Sequence, residues 1–463
     1  MKLRLFAPVD MTEGNPVIQI IRFTIPMLLG NVAQQLYNTV DSIIVGRFVG
    51  DNALAAVGSA GPILNLMLVL FMGISVGASI MVAQFFGARQ RESLSRTIGS
   101  CVILTGAASL IIMIVGPLVT MPLLRLLGTP ESIIGWCQSY LIIIFLGIAG
   151  GGYYNILSGV LRGLGDSMSA LVYLLTATAI NIVLDYVFVA YFGLGVAGVA
   201  LATVIAQFVS AFLSLRRLTR MKDYFDMKKE YLVPDGEFIR QLIRLGIPSG
   251  ITQAIFSMSM IVVQSLTNSF GEQFIAANVI VMRIDGFVIL PALSFGAAMT
   301  TYAGQNIGAG RMDRVLEGAK KGILTAMGIS AVVTGLILLL GRPIMGLFTK
   351  TQELVDLSYS MMQIIAVGYV IIEITQCLCG IMRGAGDTVS PMWISIATSV
   401  ALRVPLAYGL VGMTKSPQLP QGDCAMMYVS MLISWSLGAV ITHAVYKRGK
   451  WKEKANLVIG DEK

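Results

Sequence analysis

Charge is scarce in this sequence. Asp, Glu, Lys and Arg make up 13% of its 463 residues, where a soluble domain carries about 25%. So little charge cannot cover several water-soluble domains. With 56% hydrophobic residues and a mean hydropathy of +0.78, the chain reads as a polytopic membrane protein. Histidine is nearly absent: His443 alone excludes a His-cluster metal site. The five cysteines, Cys101, Cys137, Cys377, Cys379 and Cys424, lie in or beside apolar runs, which argues against a secreted disulfide framework. The formal net charge of +8 could suggest nucleic acid, but in a membrane chain it reports basic cytoplasmic loops.

What the chain has is long apolar runs. A bilayer core of about 30 Å takes about 20 apolar residues per helix. Twelve runs meet that need, near 17–47, 53–84, 94–123, 132–160, 168–192 and 195–216, then 239–269, 274–306, 314–346, 355–381, 389–413 and 424–446. Their continuity excludes a β-barrel, whose strands alternate at every second residue, and leaves helices as the only spanning structure. The expected fold class is an all-α polytopic membrane protein with twelve transmembrane helices. No cleavable signal is expected, because Lys2, Arg4, Pro8, Asp10 and Glu13 precede the first apolar core. Twelve spans put both termini on one side. Arg47, Arg125, Arg342, Lys350 and Lys415 fall in the loops of the opposite side, and Arg283 and Arg403 lie within spans. The remaining 26 of the 33 basic residues share the termini's side, which the positive-inside rule makes cytoplasmic.

The sequence repeats at an offset of about 221 residues. Ser158-Gly159-Val160-Leu161-Arg162-Gly163-Leu164-Gly165-Asp166 returns as Cys379-Gly380-Ile381-Met382-Arg383-Gly384-Ala385-Gly386-Asp387. Gln84, Gly87 and Ala88 return as Gln305, Gly308 and Ala309, and Ile25-Pro26 returns as Ile247-Pro248. Six spans per half is an even number, so both halves face the same way. The result is a parallel repeat of two pseudo-symmetric six-helix lobes. The expected organisation is an N-terminal lobe over 1–216, a charged cytoplasmic linker over 217–238 and a C-terminal lobe over 239–463. Two such lobes suit alternating access around a midplane site, and a transporter is the expected function.

Ionisable residues inside lipid are costly, so each is a functional candidate. Gln34, Tyr37 and Asp41 fall at i, i+3 and i+7 on one face of the first run. Asn181 and Asp185 share a face of the fifth run at i, i+4, and Thr203 lies in the sixth. Two carboxylates with amide and hydroxyl oxygens can hold a shared proton or a small hard cation such as Na⁺. The repeat places Val262 or Val263 opposite Asp41 and Leu406 opposite Asp185, so this acidic cluster belongs to the N-terminal lobe alone. Glu373, in the tenth run, answers to Gly152. It is a candidate for a second ion site or for binding a cationic substrate, and pairing with Arg283 or Arg403 is the structural alternative. Gln34, Asn155, Glu373 and Arg283 are the polar groups expected at a substrate cavity. Pro26 removes a backbone hydrogen bond within the first span and is a candidate hinge. Twenty-six methionines offer adaptable lining.

These features together resemble the multidrug and toxic compound extrusion (MATE) family over essentially the whole chain. The resemblance rests on Ile25-Pro26 and its repeat, Gln84-Phe85-Phe86-Gly87-Ala88 and its repeat, and the duplicated Gly-x-x-Arg-Gly-x-Gly-Asp motif. It implies a multidrug exporter of the cell membrane, driven by H⁺ or Na⁺, with no cofactor, no nucleic acid and no obligate protein partner. The partners it implies are small organic compounds, cationic or amphipathic, and membrane lipids. Tyr37, Asp41, Asn181, Asp185 and Thr203 resemble the cation site of the DinF-like branch, with Tyr140 joining it and Pro26 as the bending point of the first helix. Glu373 resembles the tenth-span carboxylate of the NorM-like branch, whose seventh-span acid has no match at Thr252-Gln253-Ala254-Ile255. Two rivals stand beside this reading. A flippase for a lipid-linked precursor would show a more basic cavity. An intramembrane transferase would cluster carboxylates for a Mg²⁺-diphosphate.

Overall fold

A computed structural model describes residues 8–455 of the protein; Lys2 and Arg4, and residues 456–463, lie outside them. The first half forms α1 (Pro16–Phe48), α2 (Asp51–Gly87), α3 (Arg91–Leu126), α4 (Glu131–Leu146), α5 (Ile148–Gly163), α6 (Ser167–Asp185) and α7 (Gly195–Thr219). The second forms α8 (Gly236–Asn268), α9 (Glu272–Val288), α10 (Leu290–Gly308), α11 (Met312–Met345) and α12 (Gln352–Gly384). It continues through α13 (Val389–Ser395), α14 (Arg403–Met413), α15 (Ala425–Arg448) and α16 (Lys450–Lys454). Among the described residues, eleven helices are long and apolar enough to cross a membrane. The pair α4–α5, bent by 54°, makes the twelfth span. The fold is the all-α polytopic one expected. Two spans contain π-helical turns, Tyr186–Tyr191 after α6 and Ile396–Leu402 before α14, which a 3.6-residue periodicity does not reveal.

Packing divides the described chain into two compact units. The first runs to Asp10 and then over Ile25–Gly250; the second comprises Met11–Thr24 and the chain from Ile251 on. Each half's first span therefore begins in one unit and ends in the other, and each changes over beside a proline, Pro26 in α1 and Pro248 in α8. In the first unit, glycines allow the start of α8 to lie backbone to backbone on α2. A Cβ at Gly73 would stand 2.6 Å from the Gly246 carbonyl oxygen, and one at Gly77 would stand 2.8 Å from that of Leu242. Such small-residue crossings replace the hydrophobic driving force that lipid cannot supply. In the second unit, the segment before α1 is held by hydrogen bonds. Met11 N donates to Gln305 Oε1 (2.9 Å), and Met11 O accepts from Asn306 Nδ2 (3.1 Å) and Arg314 Nη2 (3.2 Å).

The duplicated Gly-x-x-Arg-Gly-x-Gly-Asp motif is structural. Gly165 and Gly386 adopt φ +86° and +87°, the left-handed turn that ends a helix at low cost only for glycine. The aspartates that follow cap the next helices. Asp166 accepts from Ser169 N (3.0 Å) and Ser169 Oγ (2.8 Å), and Asp387 from Ser390 N (3.1 Å) and Ser390 Oγ (2.6 Å). Their cations are Arg217 and Lys454, at 2.8 and 2.7 Å, rather than the motif arginines. Arg162 instead donates to Ser75 Oγ at 3.1 Å. Asp387→Ala is expected to lower stability by about 1–2 kcal/mol through the lost cap, seen as an earlier thermal transition of the purified protein.

The segment between the halves is docked rather than free. Arg91 pairs with both carboxylate oxygens of Asp226 (2.7 and 2.9 Å) and also donates to the carbonyls of Lys222 (2.6 Å) and Asp223 (3.1 Å). Asp226 N donates to Ser95 Oγ at 2.9 Å. Asp223 and Asp226 stand at an Asp-x-x-Asp spacing, and of the two carboxylates Arg91 holds that of Asp226. Hydrogen bonding to Arg91 holds the Asp226 carboxyl below its ordinary value. This contribution to docking is complete above the ordinary carboxylate range and is lost as pH falls through the depressed value. Arg91→Ala should make tryptic cleavage at Lys222, Lys228 or Lys229 several-fold faster at neutral pH, with little change elsewhere in the chain.

Candidate functional site

The first unit gathers all six residues expected at a cation site. Tyr37 and Asp41 come from α1, Tyr140 from α4, Asn181 and Asp185 from α6, and Thr203 from α7. Asn181, Asp185 and Tyr140 are buried, at 1%, 0% and 6% exposure. Asp185 is the last residue of α6, and the π-helical turn begins at the next residue. The wider turn changes the register of the following side chains, so Asp185 keeps its inward aim while the chain beyond it is redirected.

The Asp41 and Asp185 carboxyls meet within hydrogen-bonding range, acceptor against acceptor. Oδ1 of each is buried with no protein donor, and among the described residues neither aspartate has an ion pair with Lys or Arg. With its amide oriented so that donors meet acceptors, Asn181 Nδ2 donates to Asp185 Oδ2 at 2.9 Å. Its Oδ1 accepts from Thr203 N at 3.2 Å. The Tyr37 and Thr203 hydroxyls lie 3.4 Å apart. Tyr140 is buried on α4, within electrostatic reach of Asp41, Tyr37 and Asp185. The set is all oxygen and amide. Two carboxyls in contact inside a membrane need a proton or cation between them, and among the described residues no basic side chain pairs with either.

The residues expected at a substrate cavity are divided between the units, Gln34 and Asn155 in the first and Arg283 and Glu373 in the second. Gln34 Nε2 reaches Asn38 Oδ1 at 3.5 Å along α1. Asn155 spends its amide on the Gly151 carbonyl (2.8 Å) within α5, while its own carbonyl accepts from Ser75 Oγ (2.7 Å). Glu373 and Arg283 belong to the second unit. Glu373 is fully buried in α12, and neither carboxyl oxygen has a partner. The Ser330 hydroxyl beside it donates to the Tyr369 carbonyl instead, at 2.9 Å. Arg283 is exposed on α9. No hydrogen bond or ion pair joins Glu373 to Arg283 or Arg403 among the described residues.

The sequence reading passed over a second polar cluster, in the second unit. Asp285 on α9 accepts from the Tyr369 hydroxyl at 2.6 Å, and the Tyr428 hydroxyl donates to Asn278 Oδ1 at 2.6 Å. Arg403, the first residue of α14, is 8% exposed. A signal was available, since Asn278 and Asp285 lie seven residues apart on one helical face. Among the described residues no group of three or more His, Cys, Asp or Glu side chains is arranged to hold a metal ion.

Comparison with known proteins agrees with this architecture. The MatE family profile matches twice, over residues 26–187 and 248–409. Both matches begin at the prolines where the first span of each half changes units, and both reproduce the internal repeat. The probable multidrug resistance protein YoeA of Bacillus subtilis (strain 168) is 32% identical over 441 residues, 93% of each chain. The probable multidrug resistance protein NorM of Thermotoga maritima is 24% identical over 463 residues, covering 99% of this chain and 98% of that one. A crystal structure of MATE in complex with MaL6 superposes with a TM-score of 0.89 at 25% identity, over 96% of this chain and 98% of the other.

Proposed function

The chain belongs to the MATE family of multi-pass membrane transporters, and on that premise we propose that it exports several kinds of small organic compound in exchange for H⁺ or Na⁺. It is a transporter and not an enzyme. The coupling cation binds between Asp41 and Asp185, with Asn181, Thr203, Tyr37 and Tyr140 completing the site. The observation that carries this reading is the carboxyl pair itself: two acids in contact, buried oxygens without donors and, among the described residues, no basic side chain paired with them. That arrangement is stable only with an exchangeable cation present, which makes it suited to coupling and poorly suited to static packing.

Coupling requires only that cation and substrate prefer different arrangements of the transporter. Pro26 is the proposed hinge. It removes a backbone hydrogen bond from α1 two residues after the helix passes from one packing unit to the other, and Asp41 lies four turns further along the same helix. This placement in the N-terminal half supports assignment to the DinF-like branch. The protein resides in the cell membrane with both termini cytoplasmic, a reading supported by the one-sided distribution of Lys and Arg. It works as a single chain on organic substrates, cationic or amphipathic, among membrane lipids.

The test is efflux of a fluorescent organic cation from proteoliposomes under an imposed pH gradient or an imposed Na⁺ gradient. Transport driven by one of them establishes the antiport and identifies its ion. Folded protein that responds to neither gradient overturns the proposal, and translocation of a lipid-linked precursor becomes the activity to assay.

A further inference from the structure

Where α6 begins and α7 ends, the first unit holds a cavity of about 390 Å³, lined by Ser169, Tyr173, Leu213, Arg216, Arg217 and Arg220. That is within the range of small-molecule sites, about 300–1,000 Å³. Leu213, Arg216, Arg217 and Arg220 fall at i, i+3, i+4 and i+7, so one face of α7 brings three guanidiniums to one space. Only one of those charges is spent: Arg217 pairs with the buried Asp166 at 2.8 Å. Arg216 and Arg220 are exposed and have no ion pair among the described residues. Tyr173 lies within electrostatic reach of Arg217 and Arg220. Toward the middle of α7 the surface becomes apolar: Phe212, one turn before Arg216, is 63% exposed, and Leu213 is the lining residue furthest from the helix end.

The repeat shows how such a corner is otherwise closed. Asp166, Ser169 and Tyr173 answer to Asp387, Ser390 and Ile394 at the offset of 221. There the chain turns back at Gly449 (φ +76°) into α16, stacks the buried Trp451 on the Tyr446 ring, and brings Lys454 to Asp387 at 2.7 Å. The second half thus supplies an aromatic cover and a cation from α16. In the first half the chain after α7 goes elsewhere, since Arg91 on α3 binds it at Lys222, Asp223 and Asp226. The cation for Asp166 comes from α7 itself, and the corner stays open with Arg216 and Arg220 in excess.

We propose that this cavity binds the phosphate headgroup of an anionic phospholipid from the cytoplasmic leaflet. The phosphate oxygens accept from Arg216 and Arg220, whose planar forks match them, with the Tyr173 hydroxyl as a further donor. The acyl chains leave along Leu213 and Phe212 into the bilayer. A choline headgroup would carry its own positive charge toward the arginines, so the site selects lipids of net negative charge. Asn181 and Asp185 lie on α6 and Thr203 on α7. A bound headgroup therefore ties together two helices that support the proposed cation site. The site depends on the proposed topology only for the leaflet, and not on the substrate or the coupling cation.

Native mass spectrometry of the purified full-length protein in detergent tests it, with phosphatidylglycerol or phosphatidylcholine of matched acyl chains added. Neither a gradient nor a substrate is present, so this outcome and that of the export assay are separate. Phosphatidylglycerol should bind at least about tenfold more tightly than phosphatidylcholine. Arg216→Gln combined with Arg220→Gln should weaken phosphatidylglycerol about tenfold. Arg240→Gln combined with Arg244→Gln removes the same charge from exposed positions of α8 outside the cavity, and should change that affinity less than about twofold. Leu213→Trp fills the cavity with every charge kept and should also weaken phosphatidylglycerol, which covers the case in which the arginine variant does not fold. Phosphatidylglycerol should raise the thermal transition of the unaltered protein and not that of the Arg216/Arg220 variant. Equal binding of the two lipids, or equal losses in the two arginine variants, overturns the proposal. Full competition by glycerol 3-phosphate at the lipid's own concentration also overturns it and assigns the cavity to a soluble phosphate.

Discussion

Asp41→Asn is expected to reduce gradient-driven export to the rate of empty liposomes while leaving the protein folded. The substitution keeps shape and volume, and the new amide can donate to Asp185, so the contact that required a cation is satisfied without one. The site is then occupied permanently by a neutral donor. Nothing remains to bind on one side of the membrane and leave on the other. Stability should hold or rise, because a contact between two acids has become an ordinary hydrogen bond. Asp185→Asn should behave the same way, since it offers its amide to Asp41. The surrounding groups orient the pair rather than carry the exchange. Thr203→Val and Tyr37→Phe are therefore expected to weaken the apparent affinity for the driving cation several-fold with export retained. The measurement is substrate efflux in the proteoliposomes described above, with the thermal transition followed in parallel. Undiminished cation-driven export by Asp41→Asn would remove the pair from the mechanism.

Much of this architecture is legible in the sequence, because the bilayer restricts what a chain can do. Lipid admits only closed hydrogen bonding, so apolar length alone locates the spans. The repeat then supplies their organisation. The residues of the proposed cation site were legible for a related reason. Carboxylates within apolar runs are few, and Asp41 with Tyr37 and Asn181 with Asp185 fall at helical spacing, so a shared face could be read directly.

What escaped depends on contacts between helices and on register. Arg403 lies in an apolar run that gives no hint of direction; a π-helical segment before it decides that, and π turns leave no periodic signature. The seating of the start of α8 on α2 depends on Gly73, Gly77, Gly246 and Gly250 facing one another, a pairing that no single helix displays. The linker is legible as a charged segment between the halves, but its docking is not: Arg91 spends its guanidinium on that segment. Asp166 and Asp387 each follow the arginine of their own motif by four residues, yet their ion pairs are with Arg217 and Lys454.

Glu373→Leu should make the protein more stable and a poorer transporter of organic cations. Its carboxyl is fully buried in α12 with neither oxygen hydrogen-bonded, so whichever protonation state it takes, a polar group has left water without compensation. Such a group costs about 1–3 kcal/mol, and an apolar residue of similar volume recovers that amount. The thermal transition of the purified variant should rise by several degrees. A chain retains so costly a residue where function requires it, and the lobe asymmetry supports that: the repeat partner is Gly152, so no packing role is common to both halves. Glu373→Gln separates charge from volume. It should lower affinity for organic cations while coupling to the gradient persists, because the proposed exchanging pair is Asp41 and Asp185. Unchanged affinity across several organic cations would remove Glu373 from substrate binding. Loss of stability in Glu373→Leu would mean that the carboxyl is satisfied by a partner, most simply bound water, and that its burial is structural. Loss of gradient coupling in Glu373→Gln would place a second ion site in the tenth span and make the antiport depend on both halves of the repeat.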